Sequence, residues 1–170
     1  MKRTLLVALV AIASITIASA ETLQSTINKM NAKVAHAFMH NDMAAFEKIT
    51  RPAVTSDFKH TEMGHSQTYD QMLSEMKQSF AMIKKFSSVS AKTSHIAIHG
   101  DKATSTTTHH MVGVIVGPDK KNHKMVMTGT TKDTYRKEDG KWKLAEMNWV
   151  KQGMTMDGKP FDPSQMGGGR

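Results

Sequence analysis

The chain has 170 residues, a formal net charge of +8 and no cysteine. The missing cysteine excludes thiol catalysis, CxxC redox chemistry and disulfides, so the fold must hold by its core alone. Basic residues are dispersed, and arginine occurs after residue 20 only at Arg51, Arg136 and Arg170. Nucleic-acid binders concentrate such residues on one element, so no nucleic-acid partner is expected.

Residues 1–20 have the pattern of a secretory signal: a basic start at Lys2-Arg3, an apolar run Leu5–Ile17, and the small-residue motif Ala18-Ser19-Ala20. That run is shorter than the roughly 20 residues a spanning helix needs. The expectation is cleavage after Ala20 and a secreted or periplasmic mature chain that starts at Glu21, carries +6 and spans no membrane. About 150 residues remain, the size of one ordinary domain. The domain is expected over 21–153, with an irregular tail over 154–170 where Asp157-Gly158, Pro160, Pro163 and Gly167–Gly169 break regular structure.

The elements follow in chain order. Leu23, Ile27, Met30, Val34 and Phe38 recur at helical spacing, which predicts a helix over 22–41. Asp42 is placed to cap a short second helix, Met43–Ile49, that Pro52 stops from extending. Val54–Glu62 alternates as a strand does, with Val54, Ser56, Phe58 and His60 on one face, and Gly64 turns the chain. Thr68-x-x-Gln71 is a capping box opening a third helix to about Lys85. The period then changes. Ser87–His99, Lys102–Val116, His123–Lys137 and Lys141–Gln152 are strand-like, joined by turns at Gly100-Asp101, Gly117-Pro118-Asp119 and Asp139-Gly140. Helices first and strands last predict an α+β fold, helices packed on one face of a curved antiparallel sheet.

Four segments carry a family resemblance: Asn41–Phe46, Ser56–His60 with Gly64, Thr68–Phe80, and the hairpin Asp133–Leu144 with Asp139-Gly140 and Trp142. In this order they resemble the NTF2-like superfamily, particularly its small SnoaL-like and DUF4440-like members. The resemblance implies a cone whose sheet wraps around the helices, leaves a pocket at the open end and often dimerises. It implies no single activity, since the superfamily includes isomerases, dehydratases, hydrolases and many non-catalytic domains.

The strands are polar at mid-length: Thr104–Thr108 leads into His109-His110, and Thr128–Thr131 follows on the next strand. These residues line the pocket, or else form an outer sheet face rich in β-formers or a dimer interface. Proton transfer there would need a His or carboxylate of shifted pKa. The catalytic candidates are Asp57, His109 and Asp133, and the ligand-pocket candidates are His60, Tyr69, His109, Asp133, Tyr135 and Asn148. No motif specific to a catalytic branch, a nucleotide or another cofactor is present. The expected role is binding of a small apolar or amphipathic molecule in the cone; an isomerase or dehydratase using a pocket His/Asp, or an envelope interaction module, is the alternative. Nine histidines and many methionines invite a copper reading. His36, Met39 and His40 share one helix face, but they lie opposite the apolar stripe with no firm third and fourth ligand, so no metal site is expected.

Overall fold

The computed structural model describes residues 22–161 except 63 and 118; residues 1–21, with the expected signal segment and cleavage point, and the chain end beyond 161 lie outside the described residues. Helix α1 covers 22–39. It buries Leu23, Ile27, Ala37 and Phe38 and leaves His36, Met39 and His40 exposed, as its stripe predicts. Asn41 ends it in the left-handed region (φ 53°), and the amides of Asn41 and Asp42 close onto the carbonyls of Phe38 and Ala37. Asn is among the few non-glycine residues that accept this geometry without large strain.

Helix α2 (Met43–Thr50) is capped by the Asp42 carboxylate, which accepts from the Ala45 amide at 2.8 Å. A 3-10 turn, Arg51–Ala53, leads into β1 (Val54–Glu62), then β2 (His65–Gln67) and α3 (Tyr69–Met82). The capping box at Thr68 and Gln71 forms. Helix α3 stops three residues short of the expected Lys85. Ile83 is already extended and pairs with Ile115, and Phe86, opposite Gly113, is drawn into the core. Long strands follow: β3 (Ile83–His99), β4 (Lys102–Val116), β5 (Asn122–Glu138) and β6 (Lys141–Met156), then the short β7 (Lys159–Pro160). Asp139 (φ 50°) and Gly140 (φ 74°) both adopt the positive φ that a two-residue hairpin turn requires.

The strands make one seven-stranded sheet in the order β2-β1-β6-β5-β4-β3, with β7 on β6. Two expectations are corrected here. The sheet is mixed, because β1 runs parallel to β6 while the other pairings described are antiparallel. Residues 154–160 are not an irregular tail: Met154 and Met156 pair with Met127 and Met125, and Asp157-Gly158 is the tight turn into β7. Strand β5 is long enough to template these last residues of β6. Within β1 the register shifts between Val54 and Lys59, so Thr55, Phe58 and His60 are buried and Ser56 is exposed.

Two apolar clusters form on the helix side of the sheet. The larger joins Phe38, Phe46, Phe58, Tyr69, Leu73, Phe80, Phe86, Ile115 and Met125, with Phe38 at 4.8–5.9 Å from the rings of Phe46, Phe80 and Phe86. The smaller joins Leu23, Ile27, Ala103 and Tyr135, with Trp142 and Leu144 against it. Between them the inner face of the sheet is polar.

Candidate functional site in the middle of the sheet

Strict alternation builds this polar belt. Along β4 the buried positions are Ala103, Ser105 and Thr107; along β5 they are Thr131, Asp133 and Tyr135. The intervening Thr104, Thr108, Thr128 and Lys132 are exposed on the other face. A threonine-rich strand thus serves both faces: its β-branched residues suit the pleat on either side, and the pairing register alone decides which hydroxyls are buried.

Cross-strand register assembles two rows. In one, Thr93, Thr107, Thr131 and Trp149 are successive partners across β3, β4, β5 and β6. In the other, Ser105, Asp133, Met147 and His60 are successive partners across β4, β5, β6 and β1. His109 lies opposite Gly129 beside the first row.

Hydrogen bonds tie the rows together in a defined direction. Thr107 Oγ1 donates to Asp133 Oδ2 at 2.6 Å, with Ser105 Oγ at 3.4 Å. A hydroxyl has one proton, so the 2.9 Å contact between Thr93 and Thr107 must be donated by Thr93. Asn31 on α1 in turn donates to Thr93 at 3.4 Å. The protons therefore point along Asn31, Thr93 and Thr107 toward one carboxylate oxygen. Asp133 is buried, and desolvation raises its pKa, with the Thr107, Thr131 and Ser105 hydroxyls opposing. Its other oxygen, Oδ1, has no hydrogen-bond partner. Burial, and next the nearby Asp133 charge, push the Tyr135 hydroxyl pKa up.

Trp149 organises the opposite side of the belt. Its indole N–H donates to His60 Nε2 at 3.0 Å, and its ring lies 4.8 Å from that of His109. It sits directly over Gly129: a Cβ there would lie 2.5 Å from Trp149 Cζ3 and 2.8 Å from the Lys151 carbonyl oxygen. Only glycine allows this approach. Desolvation lowers the His109 pKa to about 4, so the ring is neutral at pH 7, and its Nε2 contacts Thr131 Oγ1 at 3.1 Å.

The structure brings His60, His109, Asp133 and Tyr135 to this inner face. It does not bring the others. Asp57 is on the exposed side of β1, held by Arg136 at 2.6 and 3.2 Å, and those hydrogen bonds lower its pKa to about 2. An exposed, paired carboxylate is not a pocket base. Tyr69 is buried where α3 meets α2 and β1, its hydroxyl 2.6 Å from Thr50 and its ring against Phe58. Asn148 pairs with Lys132 and Thr61 and so takes the face opposite to Met147 and Trp149. Trp149 itself escaped sequence reasoning. Its signal was Gly129: an isolated glycine inside a strand marks close approach by something bulky.

No group of three or more His, Asp or Glu side chains among the described residues is placed to hold a metal ion. The rings of His36 and His40 lie tilted with centroids 4.3 Å apart at the exposed end of α1. No described helix is long and apolar enough to cross a membrane.

The fold is shared with solved structures of low sequence identity. A putative scytalone dehydratase from Novosphingobium aromaticivorans superposes with TM-score 0.58 at 15% identity, covering 81% of this chain and 90% of that one. A putative dehydratase of the NTF2-like family from Streptomyces avermitilis gives 0.53 at 14%, covering 76% and 96%. A hexachlorocyclohexane dehydrochlorinase, LinA type 2, gives 0.59 at 13%, covering 84% and 94%. No curated protein matches at a significant level. The SnoaL-like domain model matches residues 22–148, nearly all of the α+β cone, and the chain therefore belongs to the SnoaL-like family of the NTF2-like superfamily.

Proposed function

We propose that the protein is exported and binds a small amphipathic molecule on the inner face of its sheet. One observation carries this reading: a row of buried polar side chains interrupts the core between two apolar clusters. A domain stabilised only by packing gains nothing from such a row, because each buried polar group needs a partner to offset its desolvation. A ligand with matching polar groups supplies those partners, and the flanking clusters suit its apolar part. The signal pattern at residues 1–20 supports export. Native mass spectrometry of the protein purified from its own envelope tests both parts. The expected result is a mass starting at Glu21 with a small molecule retained; a ligand-free chain whose belt resonances respond to no small molecule overturns the reading.

The second reading is elimination or isomerisation catalysed at the same face. Two putative dehydratases and a dehydrochlorinase share the fold, and Asp133 and His109, both with shifted pKa, flank the Thr107–Thr131 pair on the same face. Binding is preferred because His109, at about 4, is a weak base whose Nε2 is already engaged by Thr131. Turnover of candidate substrates that is lost in both His109→Gln and Asp133→Asn would reverse this preference.

A further inference from the structure

The belt holds two unpartnered atoms whose chemistry can be assigned. An indole N–H only donates, so His60 Nε2, which receives the Trp149 proton at 3.0 Å, carries no proton of its own. The His60 proton is therefore on Nδ1. That atom is buried without a hydrogen-bond partner, in a side chain only 7% exposed. It is a donor with nothing to donate to. The second atom is Asp133 Oδ1, in a side chain 3% exposed. The Thr107 and Ser105 hydroxyls, with Thr93 donating to Thr107 behind them, end on the other oxygen and oppose the desolvation of the carboxylate, in which Oδ1 is an acceptor with no hydrogen-bond partner.

The two atoms are not independent accidents of packing. His60, Met147 and Asp133 are consecutive partners in one cross-strand row, so His60 and Asp133 stand two strands apart on the same face, about 10 Å at the backbone. Met147 lies between them and packs against the larger apolar cluster. The face therefore presents donor, thioether, acceptor in line.

Resting on the reading of a small-molecule site, we propose that this face takes an uncharged amphipathic molecule. Its hydrogen-bond acceptor meets His60 Nδ1–H, its hydroxyl donates to Asp133 Oδ1, and its apolar middle lies over Met147. Trp149 is the positioning residue that fixes the His60 tautomer. No buried Lys or Arg is present among the described residues to neutralise an anion, and an ammonium would lose its hydration here while the Asp133 carboxylate already accepts from Thr107 and Ser105.

The test has two arms. Long-range 1H–15N spectra of the ligand-free protein read the tautomer directly: His60 is expected protonated on Nδ1, and a proton on Nε2 overturns the proposal whatever binds. Binding is then followed by NMR with 4′-hydroxyacetophenone, which carries a carbonyl and a hydroxyl on opposite ends of an apolar ring. Acetophenone and phenol each lack one group, and 4-hydroxybenzoate and tyramine carry a charge. The two-ended neutral probe is expected to bind about tenfold more tightly than either one-ended probe, shifting His60 and Met147. Trp149→Phe, checked for an intact fold by circular dichroism, is expected to move the His60 proton to Nε2 and to reduce the preference over phenol to about parity while the preference over acetophenone, which rests on Asp133, remains. Equal binding of all probes at the belt, or tighter binding of a charged one, refutes the assigned chemistry while leaving the small-molecule site standing. Binding of none refutes both.

Discussion

Acidification is expected to destabilise this protein through His109. Its ring is largely buried between Trp149 and Thr131, and burial holds its pKa at about 4 against 6.5 for a free imidazole. The sign follows from proton counting. Between those values the unfolded chain binds a proton that the folded chain refuses, so stability falls as pH falls from 6.5 toward 4. At 1.36 kcal/mol per pH unit the full loss is about 3 kcal/mol, a large share of the roughly 5–15 kcal/mol available to a domain. Asp133 works against this trend: its raised pKa means the folded state takes up a proton as pH falls. His109→Gln separates the two, because it removes the imidazole and leaves Asp133 in place. The assay is urea unfolding of both proteins at a series of pH values between 7.5 and 4.5. The wild type is expected to lose about 2.5 kcal/mol more than the variant across that range, the rest of the loss falling below pH 4.5. Equal slopes, or an NMR titration of His109 with its midpoint near 6.5, would refute the argument that desolvation governs this ring.

Further outcomes follow from named contacts. Gly129→Ala places a methyl within 2.5 Å of Trp149 and 2.8 Å of the Lys151 carbonyl oxygen; overpacking of this kind costs about 1–3 kcal/mol and should change Trp149 fluorescence. Phe38→Ala empties the centre of the aromatic cluster and is expected to cost about 3–5 kcal/mol in denaturant unfolding. His123 donates to Asp119 at 2.8 Å and Asp157 at 2.7 Å, and these hydrogen bonds raise its pKa. Its contribution is full below about pH 6.5 and lost as pH rises through the raised value, so His123→Gln should flatten the alkaline side of the stability profile and loosen the β6–β7 turn in hydrogen exchange.

The sequence by itself determined what depends on near neighbours. Helix α1 follows from the spacing of Leu23, Ile27 and Phe38, and α2 and α3 from caps at Asp42 and Thr68, because a helix satisfies its hydrogen bonds within a few residues. The Asp139-Gly140 turn was legible because few residues tolerate positive φ. His60, His109, Asp133 and Tyr135 could be named as candidates from residue type and strand position. Which strand face each would take could not be named with them. Asn148 took the outer side because a shift of one residue exchanges the two faces of a strand and nothing local records it, whereas Asp57 already lay opposite Phe58 and His60 in the alternation of β1 and is held outward by Arg136. Tertiary structure alone decided that β1 lies parallel to β6, which sets His60 in line with Asp133 across Met147. It alone placed Trp149 over Gly129, 20 residues away along the chain, and so brought its indole N–H against His60 Nε2. These pairings are long-range, fixed by the simultaneous burial of two apolar clusters rather than by any residue's own preference.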